Sequence, residues 1–274
     1  MMQSAMRIAP NSATHGRRLK LHRVPGFGEV SNLAGQPQPH GFPSIPTDGT
    51  DVAIRYLKLG VPPLSTNKAG GRGGARNSAA RVNIELTTAQ TVNLVAAARH
   101  ATEIGLPFTR MMTVHWQAAG VPLDAMAAAT GRFIDLLTKA LARHGSKTAW
   151  LWVHENGDGK GGHCHLLAHV RPVHVPIITS LQIRWLRRIT GKPYRRRVIK
   201  SDPIGRKLGL DTSNPELWAE NAATTLGYLL KGIDPDAPVA ASLARLQPGG
   251  RVIGKRCGTS QNIGRKARSE RASE

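Results

Sequence analysis

Two histidines separated by a single residue, His163 and His165, are the first sign of chemistry in this chain. Residues two apart in a β-strand point to the same side, so both imidazoles are expected on one surface. Cys164 between them would point to the opposite, apolar side. Glu155 precedes the pair, across a Gly-rich segment. Two imidazoles and one carboxylate with open coordination positions suit a divalent metal that can receive a phosphate oxygen.

The third ligand depends on the register of this segment. His154 stands next to Glu155, and a shift of one residue in strand pairing would exchange which of the two faces the pair. A His-x-His pair by itself is also typical of an exposed polar strand face. The pattern therefore leaves both the ligand and the metal site open.

A second candidate group is formed by Tyr228 and Lys231, which are three residues apart and would share one face of a helix. Tyrosine has an ordinary pKa of about 10 and is a poor nucleophile, but a neighbouring ammonium would favour the phenolate. Lys231 could instead neutralise a phosphate. The structural alternative is that Tyr228 belongs to the core, since leucines surround it in the sequence.

The elements that must position these residues are predicted from hydrophobic periodicity and turn signals. A capping box at Thr87 begins the first helix, and the Gly-rich segment 156–162 predicts a hairpin. The predicted elements are a helix over 87–104, a strand over 108–116, a helix over 122–143, strands over 149–155 and 163–170, a helix over 177–189, an edge strand over 194–200 and a helix over 215–231. This order predicts an α+β fold in which helices pack on an antiparallel sheet.

The chain is expected to have three parts. Residues 1–84 form a flexible basic N-terminal arm, 85–235 the folded domain and 236–274 a basic C-terminal tail. Gly and Pro crowd the arm, which favours either a solvated tail or a segment that follows DNA.

Charge identifies the class of partner. The chain has 38 lysines and arginines against 17 acidic residues, a net charge of +21, so a polyanion such as nucleic acid is expected. Two cysteines are too few for a disulfide scaffold, and no phosphate-binding loop of the nucleotidases occurs. Neither a signal peptide nor a membrane-spanning segment is recognised, which predicts a cytoplasmic protein without a membrane partner.

The basic residues are densest between Arg184 and Lys207, which contains ten lysines and arginines and one acidic residue, Asp202. We interpret this run as a surface that follows the phosphates of DNA, although such runs are often solvated faces. Trp185 and Tyr194 could stack on bases there or belong to the core. The candidate DNA-binding residues are Arg184, Arg187, Arg188, Arg195, Arg196, Arg197 and Lys200.

The combination of these motifs resembles the HUH endonucleases of rolling-circle replication. Residues 108–114 (FTRMMTV) resemble the first strand motif, Glu155 with His163-Cys164-His165 the metal motif, and Tyr228-Leu229-Leu230-Lys231-Gly232 the nucleophile motif. The resemblance covers about residues 105–235 and implies a Rep-like catalytic domain.

Further roles follow from the resemblance alone. It implies that Mg²⁺ or Mn²⁺ is held by His163, His165 and Glu155, since similar sites place an acidic residue upstream of the pair. Tyr228 would attack single-stranded DNA at a replication origin, leaving a 5′-phosphotyrosyl link and a 3′-hydroxyl that primes synthesis. Lys231 would assist, and a host helicase and polymerase would be partners.

Departures from the family pattern define the alternatives. Thr224 and Gly232 stand one turn from Tyr228, so no second tyrosine shares its face, as in single-tyrosine initiators of plasmids or phages. A mobilisation relaxase or a single-tyrosine transposase would use the same chemistry, but relaxases usually carry the tyrosine before the histidines. A non-catalytic basic nucleic-acid-binding protein is the alternative from another class.

Overall fold

A computed structural model of the chain describes residues 79–204, 215–271 and 273. Nearly all of the arm predicted over 1–84 lies outside the described residues, as do Arg206 and Lys207 of the basic run. The first strand and helix of the described part begin at Val82 and Thr88.

Five antiparallel strands form the central sheet, and a separate two-stranded ribbon lies beside it. The strands are β1 (Val82–Asn83), β2 (Arg110–Val114), β3 (Trp150–Gly157), β4 (Gly161–Ala168), β5 (Ile199–Pro203), β6 (Val252–Ile253) and β7 (Cys257–Thr259). The sheet has the order β5-β2-β4-β3-β7, while β1 pairs with β6. The β3–β4 hairpin therefore lies at the centre of the sheet.

Helices cover both faces of the sheet. They are α1 (Thr88–Glu103), α2 (Met126–Arg143), α3 (Val175–Thr190), α4 (Pro215–Leu230) and α5 (Arg265–Arg271). Apolar residues of α1 and α4 pack with Leu151, Val153 and Leu167 of the sheet. Those of α2 and α3 pack with residues that point to the other face, such as Cys164 and Leu166. The α+β fold predicted from the sequence is confirmed.

Local signals in the sequence account for where several elements begin. The Thr87 side chain accepts a hydrogen bond from the Gln90 backbone N–H, and the Gln90 side chain accepts one from the Thr87 N–H, which is the predicted capping box. The edge strand is shifted from the prediction: β5 begins at Ile199, whereas Tyr194 precedes it. The basic residues 195–197 leave no alternation of apolar and polar side chains that would mark a strand.

The predicted C-terminal tail over 236–274 is instead part of the fold. Strand β7 pairs with β3, with Thr259 opposite Leu151, and Ile263 is fully buried in the core between the sheet and α1. Three residues, Cys257–Thr259, are too short a strand to show a hydrophobic period. The basic composition of this region therefore predicted a tail and gave no indication that it contains a strand of the sheet.

Every helix that the structure describes is too short or too polar to traverse a bilayer.

Candidate metal centre

The β3–β4 hairpin brings Glu155, His163 and His165 together on the face of the sheet that α4 covers. Glu155 pairs directly with His163 in the ladder, and Val153 with His165. One nitrogen or oxygen from each of the three side chains lies within 4.8 Å of the others, and all three residues are buried. The hairpin geometry predicted from the sequence thus produces the predicted cluster.

A tight turn closes this hairpin and fixes its register. Gly161 has a φ of +63°, in the left-handed region that favours glycine. A Cβ atom at this position would also lie 2.2 Å from the side-chain oxygen of Gln117. Gln117 accepts a hydrogen bond from the Gly162 N–H at 2.9 Å, so the same close approach anchors the start of β4.

The hydrogen bonds of the two imidazoles direct their Nε2 atoms towards Glu155. Nδ1 of His163 donates to the Gly161 carbonyl at 2.8 Å, and Nδ1 of His165 lies 3.0 Å from Thr113 Oγ1. The Nε2 atoms lie 3.3 Å and 3.5 Å from Glu155 Oε2. A partner on Nδ1 is what orients a metal-ligating histidine and leaves its Nε2 lone pair free.

One observation tests whether these residues suit a metal. Nε2 of His165 is buried and makes no hydrogen bond. A buried nitrogen without a partner is costly, and a cation between the imidazoles and the carboxylate would satisfy it. Two imidazoles and one carboxylate are also a common donor set for divalent first-row metals. The three residues could therefore hold a metal ion.

The choice between His154 and Glu155 is resolved by the register. His154 points to the opposite face of the sheet, where its Nε2 lies 2.8 Å from Thr130 Oγ1 and its Nδ1 donates to the Lys255 carbonyl at 2.9 Å. Trp116 donates to the same Thr130 hydroxyl at 2.8 Å. Burial lowers the pKa of His154 to about 3, so this residue is a neutral part of the α2 side of the core.

Tyr228 and Lys231 approach the triad from α4 and the residue that follows it. The rings of Tyr228 and His165 are 5.1 Å apart and meet edge to face. Lys231 Nζ lies 4.0 Å from the centre of the Tyr228 ring and forms a buried ion pair with Glu155 Oε1. The two oxygens of Glu155 are thus divided between the ammonium and the imidazoles.

Burial and charge shift the pKa values of these groups. Burial would raise the pKa of Glu155, but the two imidazoles and Lys231 outweigh it and hold that pKa below its usual range. Burial lowers the pKa of Lys231, an effect that Glu155 opposes. Burial likewise lowers the pKa of His165 to about 4. The carboxylate is therefore ionised and His165 neutral at neutral pH, the states that a metal ligand requires.

The expectation that Lys231 favours the Tyr228 phenolate needs correction. Burial raises the pKa of Tyr228, and the negative charge of Glu155 raises it further. The ammonium of Lys231 is committed to Glu155 and lies over the ring of Tyr228. Arg245 opposes these two effects in part, but the pKa of Tyr228 remains raised and the phenol is protonated at neutral pH.

A cleft of about 810 Å³ opens beside the triad. Its walls include Tyr228, His163 and His165 together with two lysines, Lys160 and Lys200. Met111, Pro203, Ile204 and Leu217 supply an apolar part of the wall, and Asp202 is the one acidic residue among the described lining residues. The two lysines would attract a phosphate near the triad. The apolar side chains of the wall could contact an apolar group next to that phosphate, such as the face of a base.

The predicted DNA-binding residues fall into three locations. Lys200 lines the cleft and pairs with Asp202 at 2.9 Å. The exposed residues 195–197 lie in the loop before β5. Arg184, Arg187 and Arg188 are exposed on α3, which packs on the face of the sheet opposite the triad. The structure brings only Lys200 of this set to the cleft.

The two aromatic residues of the basic run, one on α3 and one in the loop that follows it, both pack against the core. Trp185 is buried and meets Phe133 edge to face at 5.5 Å. Tyr194 is half-buried against the same cluster. Of the two positions that the sequence left open for Trp185, the structure shows the one in the core, so its ring is not presented to bases.

Three residues near the site were not singled out from the sequence. Thr113 contacts His165, the ring of His115 stacks on that of His163 at 5.4 Å, and Lys160 lines the cleft. Thr113 and His115 stand two apart at the end of the predicted strand over 108–116, so alternation places them on one face. That alternation could have identified Thr113 and His115 from the sequence, whereas no pattern distinguishes Lys160 in the turn.

Comparisons with protein-family models, with curated proteins and with solved structures find no match for this chain.

Proposed function

We propose that this protein is a metal-dependent endonuclease and strand transferase that acts on single-stranded DNA through Tyr228. The observation that carries the proposal is that the cluster of Glu155, His163 and His165 adjoins an open cleft, whose wall contains both histidines and Tyr228. Each motif alone is common, but a hydroxyl nucleophile beside a metal-ligating triad is the arrangement that phosphodiester transfer needs. The reaction proposed here starts rolling-circle replication of a plasmid or phage.

The transfer exchanges one phosphodiester bond for another. The Tyr228 phenol gives its proton to solvent, its oxygen forms a bond to the scissile phosphorus, and the bond from phosphorus to the 3′-oxygen breaks. The leaving oxygen takes a proton from solvent and becomes a 3′-hydroxyl, while the 5′-phosphate remains on Tyr228. A divalent cation bound by the triad would polarise the phosphate and favour the phenolate.

The residues around the triad have separate tasks in this proposal. Lys231 holds Oε1 of Glu155, so that Oε2 faces the imidazoles. Lys160 and Lys200 would contact phosphates on either side of the scissile bond. The apolar side chains in the wall of the cleft would contact an unpaired base, which favours single-stranded DNA as the substrate.

A relaxase or a transposase with one tyrosine would use the same site. The order of the motifs favours an initiator, because Tyr228 follows the histidines along the chain. A replication initiator leaves a 3′-hydroxyl for a host polymerase and exposes a strand for a host helicase, so both are proposed partners at the origin.

The test is cleavage of a labelled single-stranded oligonucleotide pool by the purified full chain, with Mn²⁺, with Mg²⁺ and with EDTA. We expect metal-dependent products and a covalent protein–DNA adduct whose 5′ end is blocked. Binding without any cleavage under all three conditions would contradict the proposal and favour a non-catalytic nucleic-acid-binding protein.

A further inference from the structure

A second basic surface lies at the opposite edge of the sheet from the cleft. A groove of about 550 Å³ runs between the start of α1, the β1–β6 ribbon and β7. Four cationic side chains line it: Arg81, Lys255, Arg256 and Arg265. Among the described residues none of these four pairs with a carboxylate, and no acidic residue lines the groove.

The folded C-terminal region supplies most of this charge. Residues 245–271 contain eight lysines and arginines and one acidic residue, Glu270. Arg265 begins α5, where its Nε lies 3.4 Å from the side-chain oxygen of Asn93 on α1. Arg265 is thus positioned by a neutral amide, so its charge is not compensated there. Cations that line one groove without an acidic neighbour repel one another, and a bound anion would relieve that repulsion.

The floor of the groove is hydrogen-bonded to β3, the strand that carries Glu155. Arg256 is buried and donates to the Asn83 carbonyl at 2.9 Å and to the Gly250 carbonyl. Its backbone oxygen accepts from the His154 N–H at 2.7 Å. Arg256 is buried beneath the groove, where Glu155 and Glu85 offset part of its charge, and its Nε has no hydrogen-bond partner. Arg256 therefore adds fixed positive potential beneath the groove, and the exposed side chains of Arg81, Lys255 and Arg265 are the ones that would contact phosphates.

The composition of the walls identifies the anion. Between the cations stand Asn83, Thr87, Gln90 and Asn93, whose side chains can bond phosphate and sugar oxygens. The first turn of α1 faces the groove and carries no acidic residue, which suits a negative ligand. No aromatic residue is among the lining residues, so bases have no surface on which to stack. Such a surface fits the sugar–phosphate backbone of a duplex better than an unpaired strand.

We propose that this groove binds the backbone of double-stranded DNA and so holds a duplex at the sheet edge formed by β7. Neither the metal triad nor Tyr228 takes part, so this binding is separate from the proposed cleavage. Five strands at about 4.8 Å place the two edges of the sheet about 19 Å apart, roughly six base pairs. A single strand in the cleft and its flanking duplex in the groove could therefore be bound together.

The test compares two ligands on the Tyr228→Phe background of the full chain, in EDTA, so that no cleavage occurs. One ligand is a single-stranded oligonucleotide, and the other is the same strand with a duplex arm of about 12 base pairs, twice the sheet width. The groove variant combines Arg81→Gln, Lys255→Gln and Arg265→Gln. The matched control removes three exposed charges from the other side of the sheet with Arg132→Gln, Lys139→Gln and Arg143→Gln on α2.

We expect the duplex arm to tighten binding by the parent protein and by the α2 control. The groove variant should lose that gain while it keeps its affinity for the single strand. For the groove variant and the ligand with the duplex arm, the slope of log affinity against log salt concentration should become less steep by about 2.7, which is 0.9 for each of three phosphate contacts. Thermal unfolding of both variants checks that they fold.

Two results would overturn the proposal. One is a parent protein that gains nothing from the duplex arm, and the other is an equal loss in the groove and control variants, which would reflect net charge alone. Either result leaves the cleavage assay of the unmodified chain unaffected, so failure of this proposal and failure of the proposed nuclease are distinguishable.

Discussion

Glu155 and Lys231 form a buried ion pair that joins the central hairpin to the end of α4. The side chain of Glu155 is 6% exposed and that of Lys231 is 4% exposed, so both charges are shielded from solvent. Lys231 also accepts a backbone hydrogen bond from Gln247 at 2.8 Å, which ties the pair to the C-terminal region. In the absence of metal, this ammonium is the positive charge closest to the carboxylate of the triad.

Replacing Lys231 with Met should lower the free energy of unfolding of the metal-free protein by about 3–5 kcal/mol, because it leaves a buried carboxylate without its partner. Added Mn²⁺ should recover part of this loss by binding to the folded state. Chemical denaturation with and without Mn²⁺ measures both effects. Lys139→Met is the control: it breaks an exposed ion pair with Asp135 and should cost less than about 1 kcal/mol.

The single variant Glu155→Gln and the double variant Glu155→Gln with Lys231→Met complete a double-mutant cycle with Lys231→Met. Removing both charges should restore most of the stability that Lys231→Met loses, since no unpaired charge remains buried. If the double variant is as unstable as the sum of the two single variants, the ion pair seen here does not couple the two residues.

Tyr228→Phe should abolish the covalent protein–DNA adduct and leave DNA affinity nearly unchanged, because only the nucleophilic oxygen is removed. Denaturing gels with labelled oligonucleotide measure the adduct, and fluorescence anisotropy measures binding. Tyr194→Phe is a matched control, since this half-buried tyrosine lies on the α3 side of the sheet. An adduct that persists in Tyr228→Phe would mean that another residue attacks.

His163→Ala combined with His165→Ala should remove metal binding and cleavage together, because these residues supply two of the three ligands. Calorimetric titration with Mn²⁺ is the measurement. His154→Gln, one residue from Glu155 but on the other face, should retain Mn²⁺ binding. Undiminished binding by the double variant would show that the ligand assignment is wrong, and a collapsed thermal transition would favour a structural role for the pair.

Much of the fold and site was visible in the sequence because it depends on local patterns. Alternation in 163–170 and the Gly-rich turn predicted the hairpin, and spacing alone placed His163 and His165 on one face. The helix that carries Tyr228 was predicted over 215–231 and lies at Pro215–Leu230. The α+β class followed from the order of these elements.

Features that depend on long-range pairing were not visible. Whether His154 or Glu155 joins the triad is decided by the register between β3 and β4, which a sequence pattern leaves ambiguous by one residue. Lys231 meets Glu155 across 76 positions of sequence, so no spacing marks their ion pair. The pairing of β7 with β3 joins residues more than 100 positions apart, and a basic, Gly-containing segment offers no periodicity to indicate it.

Stability should rise with pH between about 3 and 6.5 because of His154, whose pKa burial lowers from 6.5 to about 3. Across this range the unfolded chain binds a proton at His154 that the folded chain does not, so acid favours unfolding. The contribution is at most about 1.4 kcal/mol per pH unit, and buried His165 acts in the same direction. Denaturant unfolding at several pH values should show a shallower slope for His154→Gln than for the parent. Equal slopes for the parent and His154→Gln would contradict the assignment.

The basic loop before β5 should set affinity for single-stranded DNA without setting the rate of cleavage. Arg195, Arg196 and Arg197 are exposed and lie just before Lys200, which lines the cleft. Replacing all three with Ala should flatten the dependence of log affinity on log salt by about 2, which is 0.7 for each phosphate contact on a single strand. At saturating DNA the single-turnover cleavage rate should change little, because the triad and Tyr228 are untouched.

The matched variant changes Arg184, Arg187 and Arg188 to Ala on α3, which packs on the far face of the sheet. A slope that flattens equally in both variants would mean that DNA follows the whole basic run, and an unchanged slope in the loop variant would show that the loop is only a solvated surface.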